Sequence, residues 1–219
     1  MASLMDSREL HLLNSIHPVS RETLERLGLY REQLLRWQAK TNLVGPATLT
    51  DFWSRHVADS LQCLALYPQT MVWADLGSGG GFPGLAIAIA NAGESDKNHH
   101  LVESIHKKCA FLRSVVRETG ARATVHGERI ESVAKHIANL PEKPQIVTAR
   151  ALAPLPRLLA LAHPILASGA VGLFHKGRDF EVELRECDGL WQFDLVVHKS
   201  RIEIGSVLLE VRNLVSVGS

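Results

Sequence analysis

The stretch WADLGSGGGFPGLAIAIA, Trp73 to Ala90, joins a short apolar run to a helix-forming run through a cluster of glycines. A join of that kind is built as a strand-to-helix turn whose backbone a ligand can approach closely. Two spacings overlap in it. Gly79, Gly81 and Gly84 spell G-x-G-x-x-G, the dinucleotide-binding fingerprint, whereas Asp75, Gly77, Gly79 and Gly81 spell D-x-G-x-G-x-G, which suggests S-adenosyl-L-methionine. Pro83 stands where the helix begins, a position that suits its missing N–H.

The two ligands differ in charge. In a dinucleotide site the turn and the helix N-terminus direct N–H groups at an anionic pyrophosphate, which the Asp75 carboxylate would repel. S-adenosylmethionine has no phosphate and carries a sulfonium and an ammonium, which Asp75 suits. Glu103 ends the apolar run HHLVE about 20 residues beyond the loop, where it is placed to accept ribose hydroxyl protons from either ligand. The residues favour S-adenosylmethionine and leave open an NAD(P)-dependent oxidoreductase.

The rest of the chain sets the loop in an α/β fold. After Pro68, short apolar runs alternate with amphipathic stretches: MVWADL, then a helix from about Pro83; HHLVE, then a helix from about His106; ATVHG, then a helix from about Glu128. QIVTA with a helix from about Leu155 follows, then AVGLFHK with a polar helical stretch near Asp179 to Cys187. This alternation predicts a mostly parallel sheet with helices on both faces. The runs WQFDLVVHKS and SVLLEVRNL have no helix between them and read as a C-terminal antiparallel hairpin. From Ser20 to Leu66 the apolar residues recur at helical spacing, broken around Gly45 and Pro46, so residues 1–67 read as an N-terminal helical extension and residues 68–219 as the main domain.

Composition narrows the partners. A net charge of +1 means that nucleic-acid binding would need a local basic patch. The three cysteines, Cys63, Cys109 and Cys187, are far apart and odd in number, as for free thiols in a reducing cytosol. The N-terminal segment carries Asp6 and Glu9 where a signal peptide has basic residues, and LAIAIA is too short to cross a bilayer, so a cytoplasmic protein without a membrane partner is expected. Among the eleven histidines, the neighbours His99 and His100 point to opposite faces of a strand and cannot easily share an ion, so no metal is expected.

Six blocks in order, KTNLVGPATLTDFWSRHVADSL, DLGSGGGFPGLAIAI, LVESIHKKCAFLRSV, GERIES, VTARALAPLPRLL and LFHKG, resemble the bacterial glucose-inhibited division protein B family from about Thr23 to Val211. The resemblance implies a Rossmann-like methyltransferase that acts on guanine N7 in 16S (small-subunit) ribosomal RNA and releases S-adenosyl-L-homocysteine, working as a monomer. It implies cofactor contacts at Gly77, Phe82 and Glu103, an adenine site at Ile130 and Glu131, and a further site residue at Arg150. With Asp75, Gly79 and Gly81 these make the expected cofactor pocket. Glu103 stands where relatives are expected to have Asp, and NAGESDKNHH lengthens the loop before the second strand.

Methylation at N7 uses an in-plane lone pair that is free at neutral pH, so alignment matters and no general base is required. No triad or carboxylate pair is evident in the sequence. RNA contacts are expected among Lys40, Asn42, Arg55, His56, Lys107, Lys108, Arg150 and Lys176. His56 and Asp59, three apart, share a helix face and are expected to shape the junction between extension and core. A methyltransferase for a non-RNA substrate and a binding module without chemistry remain alternatives. The complete glycine loop weighs against the second.

Overall fold

Val72–Leu76 (β1) is buried along its whole length although it carries Asp75, as a central strand covered on both faces has to be. In this computed structural model, which describes residues 5–218, β1 lies mid-sheet between Asn98–Val102 (β2) and Ile146–Arg150 (β4), with Trp73 opposite both His99 and Ile146. Ala123–His126 (β3) extends the parallel sheet beyond β2, and Val171–Lys176 (β5) extends it beyond β4. Val207–Ser216 (β7) then runs antiparallel to β5 and pairs on its other side with Trp191–Lys199 (β6). The order β3-β2-β1-β4-β5-β7-β6 makes a Rossmann-like, mostly parallel sheet closed by an antiparallel hairpin. Its strand order reverses between β1 and β4, where a crevice opens at the carboxyl ends of the strands.

The helices are Ser7–Ile16 (α1), Arg21–Gln38 (α2), Asp59–Leu66 (α3), Gly84–Ala90 (α4), His106–Thr119 (α5), Ile130–Ala138 (α6), Leu155–Leu166 (α7) and Phe180–Arg185 (α8). On one face Leu13, Leu27, Leu34 and Phe52 share a hydrophobic cluster with Ile87 and Phe111, so the helices before β1 pack into the same core as α4 and α5. On the other face α6 and α7 bury Val133, Ile137, Leu158 and Ile165 against Val147, Phe174 and Leu209. The leucine-rich LPRLLALAHPIL is thus a core helix.

Three local features differ from the expected pattern. Helix α1 lies within the expected helical extension but ahead of the Ser20–Leu66 periodicity. It opens on a capping box in which the Asp6 carboxylate accepts from the Glu9 N–H and the Glu9 carboxylate accepts from the Asp6 N–H. The second feature is Phe52–Ala58, which winds as a π-helix before running into α3. The wider turn brings Phe52, Trp53, His56 and Val57 to the core side. Finally, α6 starts at Ile130, two residues after the expected Glu128.

Candidate active site at the reversal of strand order

The glycine loop stands on a buried carboxylate. Asp75, 1% exposed, accepts a hydrogen bond at Oδ1 from the Thr148 hydroxyl of β4 at 2.7 Å, while its Oδ2 lacks a partner among the described residues. The Asp75 side chain touches the Cα side of Gly84, the last glycine of G-x-G-x-x-G, and a Cβ there would overlap the carboxylate. Glycine is therefore what lets α4 start directly against β1. Burial pushes the Asp75 pKa up to about 6, held from rising further chiefly by the Thr148 hydroxyl. Asp75 does not line the cleft beside the loop. It sits under the loop as a resident anion at the start of α4, which disfavours a pyrophosphate there and leaves the loop backbone bare for another ligand.

Above Asp75 the chain turns through Gly77 at φ +68, a left-handed conformation that disfavours side chains. A Cβ on Gly77 would meet Leu152 Cδ1 at 2.5 Å, so the space beside this glycine belongs to the turn after β4. At Gly79 a Cβ would meet nothing closer than the Gly77 carbonyl at 3.7 Å, and there the backbone is open. Glu103 holds the loop by accepting from the Gly79 N–H at 3.0 Å through Oε2 and from the Ile105 N–H at 2.8 Å through Oε1. The Tyr30 hydroxyl of α2 donates to the Gly80 carbonyl, tying the loop to the helices before β1.

The second wall is built around Arg150 at the end of β4. Its NH1 donates to the Arg55 carbonyl at 3.1 Å and to Asp59 Oδ2 at 3.3 Å; its NH2 donates to His56 Nδ1 at 2.8 Å. The guanidinium lies over Phe82, 5.2 Å from the ring centroid, and the His56 ring stacks on the same phenyl at 4.7 Å. Because arginine only donates, His56 Nδ1 must be the unprotonated nitrogen, and Nε2–H faces the Thr48 hydroxyl at 3.0 Å. Burial, with the Arg150 charge beside it, lowers the His56 pKa to about 4, so the ring is neutral near pH 7. His175 of β5 completes the group, with Nε2 3.2 Å from the Asp59 carbonyl.

Two adjoining clefts open here. The first, about 380 Å³, is lined by Gly77, Gly79, Phe82, Arg55, Lys108 and Arg150 among others. The second, about 430 Å³, lies beyond Arg150 and includes His175, Lys176 and Glu183. Asp59, Arg150, Ala151 and Glu203 line both.

The expected site residues thus fall into groups. Gly77, Gly79, Phe82, Arg150, Arg55, His56 and Lys108 come together in the first cleft. Gly81 and Glu103 are buried next to it as supports of the loop. Ile130 is buried at the start of α6 and the exposed Glu131 is ion-paired with Arg157; neither lines the cleft. Lys40, Asn42 and Lys107 are exposed and lie outside both clefts. One expected RNA contact needs correction and another is partly engaged within the chain. His56 has both ring nitrogens engaged, and Lys176 donates to the Ala153 carbonyl at 2.7 Å and to Glu183 at 2.6 Å. Both ring nitrogens of His56 are thus spent, whereas the Lys176 ammonium keeps one N–H.

The family model described as "GidB: rRNA small subunit methyltransferase G" matches residues 23–213. The chain belongs to the GidB family. A protein named ribosomal RNA small subunit methyltransferase G from Methylorubrum populi is 51% identical over 198 residues, covering 90% of this chain and 92% of that one. A protein of the same name from Rhizobium leguminosarum is 48% identical, covering 90% and 95%. Among solved structures, a methyltransferase from Geobacter sulfurreducens shares the fold at 16% identity, with a TM-score of 0.55 over 97% of this chain and 98% of that one.

In this GidB-family chain, sequence reasoning missed His175, Thr148, Leu152 and Glu183 as parts of the site. Thr148 and Leu152 sit in the VTARALAPLPRLL block beside Arg150, so that block carried a signal for them. His175 sits in the LFHKG block beside Lys176, so that block carried a signal for it; nothing in the local pattern marks Glu183, which reaches the site only through the placing of α8.

Proposed function

We propose that this GidB-family protein methylates N7 of a guanine in the RNA of the small ribosomal subunit, using S-adenosyl-L-methionine and leaving S-adenosyl-L-homocysteine. The observation that carries the reading is the family match over residues 23–213, which spans both walls of the first cleft. The residues present fit such a cofactor. The loop backbone is bare at Gly79, and the carboxylate beneath it disfavours the pyrophosphate of the dinucleotide alternative. In the proposed site Gly77, Gly79 and Phe82 line the cofactor's place, Asp75, Gly81 and Glu103 support the loop, and Ile130 and Glu131 bound the adenine end. When bound, S-adenosylmethionine supplies a methyl carbon activated by its sulfonium.

The chain contributes alignment. Arg150 is fixed by Asp59, His56 and the Arg55 carbonyl, so its guanidinium forms a rigid partition between the two clefts. His56 is neutral and fully engaged, which leaves it no role as a base, and an N7 lone pair needs none. Lys108 at the mouth of the first cleft, with Lys107 and, farther out, Lys40 and Asn42, is the proposed phosphate-contacting set; Arg55 joins it by exchanging Glu203 for RNA. Within the expected extension, residues 1–67, of which 1–4 lie outside the described residues, the helices from residue 5 onward carry the π-helix to the site. The setting is the cytoplasm, where buried Cys63, Cys109 and Cys187 stay reduced, and the working form is a monomer. No helix among the described residues is long and apolar enough to cross a membrane.

The test is transfer of a labelled methyl group from S-adenosylmethionine to small subunits from a strain lacking this protein, followed by mass mapping. Label at one guanine N7 is the expected result. Label on another atom, or none while the cofactor binds, would remove the substrate assignment.

A further inference from the structure

The second cleft has no assigned role, and it shares the Arg150–Ala151 wall with the first. If N7 of a guanine faces the first cleft, that atom cannot also select the base, because adenine carries the same N7 acceptor. Selection has to use what differs: O6 with N1–H and the N2 amino group in guanine, against an N6 amino group and a bare N1 in adenine. These groups lie on the Watson–Crick edge, which proteins read on unstacked RNA bases.

The second cleft presents the complementary pattern. Glu183 lines it and is fixed through Oε2, which accepts from Lys176 Nζ and from the Leu155 N–H at the start of α7. Oε1 takes no hydrogen bond from the described residues. Lys176 Nζ is held by the Ala153 carbonyl as well, and an ammonium has three donors, so one is left over. The turn that aims that carbonyl includes Ala151 at φ +53, a strained conformation for a residue with a side chain. A locked carboxylate beside a locked ammonium offers an acceptor for N1–H and N2–H and a donor for O6. Against adenine the carboxylate would face the N1 lone pair.

We infer that the second cleft takes the Watson–Crick edge of the target guanine, with Glu183 and Lys176 as the residues that specify it. This rests on the reading of the first cleft as the site of N7 methylation.

The experiment compares small subunits reconstituted with guanosine or inosine at the mapped target; inosine keeps N7, O6 and N1–H and lacks only the N2 amino group. Wild-type protein should prefer guanosine by about tenfold or more in kcat/KM, the usual worth of a hydrogen bond to a charged group. Glu183→Ala should bring that ratio close to one, and the isosteric Glu183→Gln to a value between, with S-adenosylhomocysteine affinity unchanged within about twofold. A carboxylate that merely braces α8 would lower both substrates alike, so a wild-type ratio in Glu183→Ala overturns the inference, as does a wild-type protein blind to the difference. If Glu183→Ala does not fold, the Glu183→Gln ratio decides. If a variant is too slow to assay, binding of guanosine and inosine 5′-monophosphates to it with S-adenosylhomocysteine present decides: retained preference for guanosine overturns the inference, and equal binding supports it. Wild-type label on an atom other than N7 would bring down the underlying reading, a separate failure from loss of base selection.

Discussion

The turns after β1 and β4 flank the reversal of strand order, and they are built in opposite ways. The β1 turn is almost entirely local: Asp75, Gly77, Gly79, Gly81 and Gly84 lie within ten positions, and its main outside ties are Glu103, Tyr30 and Thr148. The β4 turn is assembled from distant pieces. Arg150 meets Arg55, His56 and Asp59 across more than 90 residues of sequence, and His175 joins from the next strand. One wall depends on backbone conformation and the other on a network of side chains. They should fail differently when altered.

The largest effect is expected in the network. Arg150→Met removes the cation that pairs with Asp59 and the donor to His56, both mostly buried, and should cost about 3 kcal/mol in chemical denaturation. Adding Asp59→Asn should return part of that loss. Strict additivity of the two changes would show that the β4 wall does not act as a unit.

A smaller loss, about 2 kcal/mol, is expected for Gly77→Ala, from the left-handed backbone and the contact with Leu152. The added methyl group collides with the neighbouring turn, so the defect is one of stability, and Leu152→Ala in the same chain should recover only the contact part. Full recovery would mean that the backbone conformation costs little and that the contrast between the walls is weaker than drawn.

Acid acts on both walls and on the neighbouring strand β2. His56, His99 and His100 have pKa values lowered to about 4 by burial, so protons favour the unfolded chain and stability should fall as pH drops from 6.5 towards 4. Asp75, raised to about 6, works in the other direction: the native state takes up its proton first, which returns stability between about pH 6 and 3.8. The carboxylate offsets only part of the loss, because three histidines act against it, so the net change on acidification is destabilising. Asp75→Asn should steepen the acid loss in melting temperature measured against pH; an unchanged slope would mean that the carboxylate is not held protonated under the loop.

The mildest change is at the mouth. Lys108→Ala should leave stability within about 0.5 kcal/mol and lower the salt dependence of RNA binding by roughly 0.7 in log–log slope, one phosphate contact on single-stranded RNA. A changed melting temperature would place Lys108 in the fold instead.

The sequence by itself determined the order of strands and helices after Pro68, the glycine turn and the carboxylate before it. Hydrophobic period and glycine spacing act between near neighbours and can be read in a line. Helix α1 is legible too, in the D-x-x-E pattern of the Asp6–Glu9 capping box, which acts between near neighbours. Only the tertiary structure decided that Asp75 faces Gly84 and not the cleft, that His56 is a spent acceptor and that Lys176 is locked to Glu183. The reason is physical: a side chain's partners and desolvation are set by how turns, sheet pairing and the π-helix bring segments together; Asp75 meets Gly84 and Lys176 meets Glu183 across a turn, His56 meets Arg150 at a separation of 94 residues, and none of these meetings leaves a periodic trace in the chain.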